Sequence, residues 1–442
     1  MAAPSSPRSS ARGEAGSTFV ASVESLAWGG PGLVRLEDGT VHLVEGVAPG
    51  DEIEVALEKP QKGEAKRARL VRVIEPGPDR VAPVCPLAAR CGGCDWMHLG
   101  VDAQEREHAR LVRDQLAHAT GEPAPEPIVH RAPRALAYRT RARLHVSTDG
   151  RRVALGYHRG RSRDIVEPET CAVLEPGLLE AARKLADALL GLRGSGEIAI
   201  GWGSKEGARA PVVDLVLEGE PPATFWRALD DAVHADLGGA RVTLAGSSKP
   251  ATFGDPRPVQ VGFDGAPLVL PAGGFAQPSD EGAAILARRV KELANARDLD
   301  VHELFAGAGT LTVALAGDAR VSSIEIDEAA VASARENLAR RGLTAKQSIG
   351  DAESSPIPKR ASVVILDPPR TGARGACKAI AEAKPKRVVY VSCDPPTLAR
   401  DARLLADAGY ALIGLEIVEL FPQTSHVETI AVFSRGKRKA GA

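Results

Sequence analysis

The six cysteines of this chain fall in surroundings that suit different chemistry. Cys393 closes the apolar run Val388-Val389-Tyr390-Val391-Ser392 and precedes Asp394-Pro395-Pro396, so a strand presents one thiol at its tip. A thiolate placed there is a nucleophile for covalent catalysis. His426-Val427-Glu428-Thr429-Ile430 precedes what reads as the final strand, and Glu428 is the candidate general base, with His426 as the runner-up. The run Val363 to Leu366 ends in Asp367-Pro368-Pro369-Arg370, a rigid acidic loop of the kind found at the carboxyl edge of parallel sheets. Cys377 lies in a helical run without a partner motif and reads as a small core residue. Cys85, Cys91 and Cys94 cluster around Gly92-Gly93, and with the distant Cys171 they supply four thiolates. Tetrahedral zinc and an iron–sulfur cluster both fit that count; the paired glycines, which let the backbone wrap close to a bulky group, favour iron–sulfur, while the spacing alone leaves zinc open.

A second constellation suits a nucleotide-like cofactor. Val301-His302-Glu303-Leu304-Phe305-Ala306-Gly307-Ala308-Gly309-Thr310 is an apolar strand turning through glycines into a helix, where the backbone can pass close to a ligand. The third glycine of a dinucleotide fingerprint is replaced by Thr312, which favours S-adenosylmethionine over a nicotinamide dinucleotide. The next strand, Val321 to Ile326, puts Glu325 at its tip as a ribose ligand and Asp327 at the start of a helix over Glu328 to Arg341. Asp351, after Gly350, is placed to reach an adenine amine.

These residues need elements to position them. From Ser17 to Ile74, short alternating segments separated by Gly, Pro and Asp predict a small five-stranded barrel, followed by a linker over Pro76 to Pro86. Helical spacing covers Gln104 to Ala119. Strand-like runs mixed with a helical run over Leu178 to Leu192 make a central mixed domain. From Asp280 onward, alternating helices and apolar strands predict a parallel sheet covered on both faces. The expected division is a disordered leader over 1–16, a barrel over 17–76, a central α+β domain with the cysteine cluster over 77–275, and an α/β catalytic domain of Rossmann-like type over 276–442. No fixed-period repeat is present.

With 442 residues, 44% hydrophobic and 26% charged, the chain is too long for one core and too apolar for disorder. No apolar run approaches the ~20 residues that span a bilayer, and the first residues lack the apolar block of a secretory signal, so a cytoplasmic protein without membrane contact is expected. The net charge of −1 hides two basic runs. Lys59, Lys62, Lys66, Arg67, Arg69 and Arg72 form one; Arg139, Arg141, Arg143, Arg151, Arg152, Arg159, Arg161 and Arg163 form the other. Charge runs are usually solvated faces, but on one face these would track phosphates.

A methyl donor beside a nucleophilic cysteine meets a specific need. Carbon 5 of uracil is too weak a nucleophile to take a methyl group; thiolate addition at carbon 6 makes it enolate-like, and a base must later remove the carbon-5 proton. With these motifs in place, the chain closely resembles the RumA/TrmA-type RNA uracil-5 methyltransferases, in the branch with an N-terminal TRAM domain and a 4Fe-4S cluster. The resemblance runs through nearly the whole chain. Ser25-Leu26-Ala27-Trp28-Gly29-Gly30-Pro31-Gly32 and Pro49-Gly50-Asp51 look like the TRAM barrel, an RNA-binding module. Cys85, Cys91, Cys94 and Cys171 look like its iron–sulfur ligands. The resemblance implies cofactor contacts by Gln277, in Gly274-Phe275-Ala276-Gln277, and by Phe305, Thr310, Glu325, Asp351 and Asp367. It implies Cys393 as nucleophile and Glu428 as base. The family usually has Asn at Asp394, Asn at Ser279 and Gln at Met97, and the first departure bears on how the nucleophile loop is held. RNA is the expected partner, ribosomal ahead of transfer RNA, with no DNA and a monomeric protein. The rivals are nitrogen methylation at the Asp367 loop, a radical methylthiotransferase, and an RNA-binding protein with a retired methyltransferase fold.

Overall fold

The computed structural model describes residues 17–59, 62–247 and 249–436; the expected leader over 1–16 lies outside them. The N-terminal strands Thr18–Leu26, Gly32–Arg35, Val41–Val44, Glu52–Leu57 and Ala68–Glu75 form one antiparallel sheet in which Thr18–Leu26 is central. Its alternating residues Val23, Val34, Val44, Ile53 and Val55 point to one core. The sheet curls because its far edges meet: Leu43 N–H donates to Lys66 O at 2.9 Å and Leu43 bridges Arg67.

The middle of the chain builds a seven-stranded sheet, antiparallel except where Ala208–Leu217 runs parallel to Gly239–Leu244. Helices Leu178–Asp187 and Ala223–Ala235 contribute Leu178, Ala182, Leu185, Phe225 and Leu229 to its core. The first helix ends at Asp187 rather than running to Leu192, because residues 188–191 turn to bring Arg193 into the strand Arg193–Lys205.

The C-terminal sheet has eight strands. Five run parallel in the order Lys346–Ile349, Arg320–Glu325, Asp300–Leu304, Val363–Leu366, Arg387–Ser392, so chain direction switches sides between Asp300–Leu304 and Val363–Leu366. Ligands bind at the carboxyl edge of such a switch point. Glu428–Arg435 then pairs antiparallel with both Arg387–Ser392 and Tyr410–Val418. The eighth strand, Ile128–His130, comes from far upstream and runs parallel to Tyr410–Val418, where His130 Nε2 meets Glu416 Oε2 at 2.7 Å. Helix Val101–Thr120 buries Val112 and Leu116 in the same core as Leu398, Ala402 and Leu405 of helix Pro395–Asp407. Residues 101–130, assigned by sequence to the central domain, thus pack as part of the catalytic layer. Among the described residues no helix is long and apolar enough to cross a membrane.

One buried carboxylate ties the site's scaffold together. Asp401, fully buried on helix Pro395–Asp407, accepts from Tyr390 OH at 2.8 Å, from Ala373 N–H at 2.6 Å and from Arg400. It joins the strand that ends near Cys393 to the loop that follows Asp367. Asp401→Ala leaves a buried N–H and hydroxyl unpaired, and is expected to destabilise the fold by about 3 kcal/mol, measured as a fall in the denaturant midpoint.

Candidate active site

Cys393 and Glu428, the expected nucleophile and base, lie at the ends of neighbouring strands. Val391 pairs with Ile430 and Ser392 with Thr429 in the antiparallel ladder, so one residue further on Cys393 faces Glu428. Asp367 follows the neighbouring parallel strand, where Leu366 pairs with Tyr390. The three groups act on one another. Burial pushes the Cys393 thiol up to about 12, the Glu428 and Asp367 carboxyls push the same way, and Arg370 opposes them. Burial raises Asp367 to about 7. Glu428, only 2% exposed, is raised well above the usual carboxylate range by burial and then by Asp367. Its Oε1 is buried without a hydrogen-bond partner, so an acceptor is available at the nucleophile. His426 is lowered by burial and by Arg370, and its ring meets Phe421 edge-on at 5.9 Å.

Asp394, where the family usually has Asn, caps helix Pro395–Asp407: its Oδ1 accepts from Thr397 N–H at 2.9 Å and Thr397 Oγ1 at 3.0 Å. A carboxylate serves as well as an amide there, so the nucleophile loop keeps its anchor. Ser279 likewise caps helix Asp280–Ala294, accepting from Gly282 N–H at 3.1 Å.

The expected cofactor residues surround the switch point. Phe305 has φ +59°, and the turn continues through Gly307 at +53° and Gly309 at +84°. A Cβ on Gly309 would press to 2.9 Å from Ala334, so glycine is needed for both conformation and close packing. Thr310 opens the helix Thr310–Ala316. Glu325 lies over the turn, with Oε2 accepting from Gly307 N–H at 2.9 Å and Oε1 from Ile326 and Asp327 N–H. Asp327 caps helix Glu328–Ala339, as its position predicts. Asp351 is exposed beyond the next strand and accepts from Glu353 N–H and Ser354 Oγ. Gln277 is buried, with its Oε1 unpartnered and its backbone carbonyl accepting from Arg141 Nη1 at 2.6 Å.

Cys85, Cys91, Cys94 and Cys171 line one cavity, otherwise walled by Leu87, Ala88, Met97, Pro168, Ala172 and Val173, with Arg139 and Tyr157 at its side. Burial raises the Cys94 thiol to about 12, with Cys171, Cys91 and Cys85 adding to the effect. Met97, where the family has Gln, is part of the apolar wall. Gly92 is also needed for close backbone packing: a Cβ there would sit 2.8 Å from His158 O, whose carbonyl accepts the Gly92 N–H at 2.9 Å. Among the described residues no group of three or more His, Cys, Asp or Glu side chains is placed so that it could hold a metal ion.

Comparison with known proteins bears on these residues together. Residues 268–384 match the Methyltransferase small domain model. A protein of Chromohalobacter salexigens named 23S rRNA (uracil(1939)-C(5))-methyltransferase RlmD is 34% identical, covering 94% of this chain and 89% of its own length. The protein of the same name from Pseudomonas putida is also 34% identical, covering 94% of this chain and 93% of its own. The chain belongs to the RNA uracil-C5 methyltransferase family. A solved tRNA (uracil-54, C5)-methyltransferase of Pyrococcus abyssi, in complex with S-adenosyl-L-homocysteine, superposes with a TM-score of 0.70 at 24% identity over 94% of this chain and 100% of its own, and shares its fold.

Two residues of this family member escaped the sequence reading as functional groups. Glu303, at the end of strand Asp300–Leu304, is buried and raised to about 8 by burial, with Asp367 and Glu325 adding to the shift and a 2.6 Å hydrogen bond from Thr312 opposing it. Its place inside an apolar strand hid it; the signal was a carboxylate in a run that ought to be wholly apolar. Arg370 was visible only as the end of the Asp367 loop.

Asp367→Asn removes a negative neighbour and lowers the Cys393 thiol, so alkylation of Cys393 at pH 8, followed by peptide mass spectrometry, is faster; Arg370→Ala raises the thiol and makes it slower. Glu303 ionises near 4.5 when unfolded and about 8 when folded, so its contribution to stability falls as pH rises through that window. Glu303→Gln is therefore expected to raise the melting temperature more at pH 8 than at pH 5.

Proposed function

We propose that this protein methylates carbon 5 of a uridine in 23S ribosomal RNA, with Cys393 as nucleophile and Glu428 as base. The observation that carries the reading is the register placing Cys393 opposite a buried Glu428 with an unpartnered oxygen, beside Asp367. Nitrogen methylation has no use for a thiol facing a base. The names of relatives matching over nearly their whole length favour ribosomal over transfer RNA, and that substrate puts the work in the cytoplasm.

The cofactor site fits S-adenosylmethionine. Gln277 offers an unpaired buried acceptor, Ile326 next to Glu325 presents an exposed apolar side chain, and burial holds the Glu303 and Asp367 carboxyls above their usual range, a cost that a cation would relieve. Those residues, with Phe305 and Thr310, would hold it. Bound there, it supplies a methyl group and a positive charge that favours the ionised carboxylates. Arg370 favours the Cys393 thiolate, which adds to carbon 6 of the uracil. Carbon 5 gains the methyl group, Glu428 accepts the carbon-5 proton, and the electrons of that C–H bond restore the 5,6 double bond as the carbon–sulfur bond breaks and frees the thiolate.

The four thiols fit a 4Fe-4S cluster. They converge on one cavity with apolar walls, and thiolates are the donors such clusters take. Methyl transfer moves no net electrons, so Cys85, Cys91, Cys94 and Cys171 would serve to hold the surrounding chain in place. The curled N-terminal sheet is the TRAM module of this reading, and RNA phosphates pass between it and the loop after strand Val153–His158. There an open cavity of about 570 Å³ is lined by Arg159, Arg161, Arg163 and Ser162. Arg161 reaches Glu58 of the N-terminal sheet at 3.6 Å.

Labelled S-adenosylmethionine with separated, unmodified 23S and transfer RNA is expected to give 5-methyluridine in the ribosomal fraction; label in transfer RNA alone would overturn the substrate assignment. Glu428→Gln is expected to lose on the order of 10²–10⁴-fold in turnover and to accumulate an RNA–protein adduct on denaturing gels. Replacing Arg159, Arg161 and Arg163 together by Ala is expected to raise KM and to flatten the salt dependence of RNA binding by roughly one unit of logarithmic slope per lost phosphate contact.

A further inference from the structure

The loop that delivers Glu428 is shaped by the segment that follows the clustered cysteines. Asp95, next to Cys94, accepts from Ser425 N–H at 2.8 Å through Oδ1 and from Ser425 Oγ at 2.5 Å through Oδ2. Trp96 N–H donates to Gln423 O at 3.0 Å, and Gln104 Oε1 accepts Gln423 N–H at 2.8 Å. His108 bridges Glu419 and the carbonyl of Thr424, and Tyr138 OH donates to Pro422 O at 3.0 Å. Residues 422–425 therefore hang from residues 95–108 and Tyr138, and Glu428 follows three residues later. The N-terminal sheet meets the same point. Trp96 Nε1 donates to Gly30 O at 3.1 Å, and a Cβ on Gly30 would lie 2.6 Å from Asp95 Oδ2.

We propose that Asp95 is a positioning residue for the proton-abstraction step, holding Ser425 so that Glu428 sits at carbon 5 of the covalently bound base. The inference rests on the reading of Glu428 as base. A carboxylate accepting two hydrogen bonds from one residue fixes that residue's rotation as well as its place, and charge-assisted bonds are the stronger kind. Glu428 has no partner on Oε1 to orient it, so its aim depends on its backbone, which Ser425 and the strand pairing hold from either side. Cys393 does not depend on this contact, because the residues after it are anchored by Asp394 and the strand before it by the Tyr390–Asp401 bond. Loss of Asp95 should then separate two steps that share one site: adduct formation continues and release slows.

The test follows the RNA–protein adduct in single turnovers for wild type, Asp95→Ala, Asp95→Asn, Ser425→Ala and Glu428→Gln. Asp95→Ala is expected to form adduct within about twofold of the wild-type rate and to release it up to on the order of 100-fold more slowly, the cost of displacing a reacting group by about 1 Å. Asp95→Asn, which keeps one acceptor for Ser425 N–H, should recover part of the release rate. Release unchanged in Asp95→Ala, or formation and release slowed equally, would overturn the inference. Should Asp95→Ala fail to fold, Asp95→Asn and Ser425→Ala decide it together, since each weakens the Asp95–Ser425 pair: a longer-lived adduct in either supports the role, and wild-type release in both rejects it. If neither wild type nor Glu428→Gln ever forms an adduct, the covalent reading itself has failed and the inference falls with it.

Discussion

Negative charge is unwelcome where this protein gathers its acids. Cys393, Asp367, Glu428 and Glu303 are near enough to interact: Asp367 raises the proton affinity of the other three, and Glu428 adds to that of Cys393. Arg370 offsets part of that cost at the thiol. A site of this kind rests in its neutral form and gains charge when a cation enters, which suits a sulfonium cofactor better than an anionic one.

Much of the scaffold serves to hold those groups together against their repulsion. The parallel strands bring Asp367 and the glycine turn to one edge, and the antiparallel return of Glu428–Arg435 sets Glu428 opposite Cys393. Asp401 locks the helix behind the nucleophile to the strand before it and to the Asp367 loop. Outside this layer, the cysteine-bearing segment grips the loop leading to Glu428 and the N-terminal sheet at one junction. On the proposed reading, RNA bound by the outer parts would thereby be registered against Cys393 and Glu428.

The parts of this design legible in the sequence are local. Cys393 stood out as the residue closing an apolar run and Glu428 as the carboxylate just before the final strand, and the glycine turn and Asp327 cap are short-range patterns that tertiary contacts did not override. Asp95 and the edge strand Ile128–His130 were not legible, since their partners lie 330 and 286 residues away, and Asp401 was not because its bond to Ala373 spans 28 residues and no spacing rule connects them. Glu303 was missed because its consequence comes from burial, and the helix over Leu178 to Leu192 was drawn too long because an apolar run does not reveal where the chain must turn into a strand. The four clustered thiols were legible as a group, although Gly92 proved to be required by the His158 backbone.

The most direct measurement of the central claim is the site and composition of a trapped complex. With RNA carrying 5-fluorouridine, the fluorine left on carbon 5 after methyl transfer cannot be removed as a proton, so the adduct persists and its peptide can be sequenced by mass spectrometry. A nucleotide joined to Cys393 and carrying one added methyl group is the expected result. An adduct on another residue, or methylated RNA formed without any adduct, would contradict it.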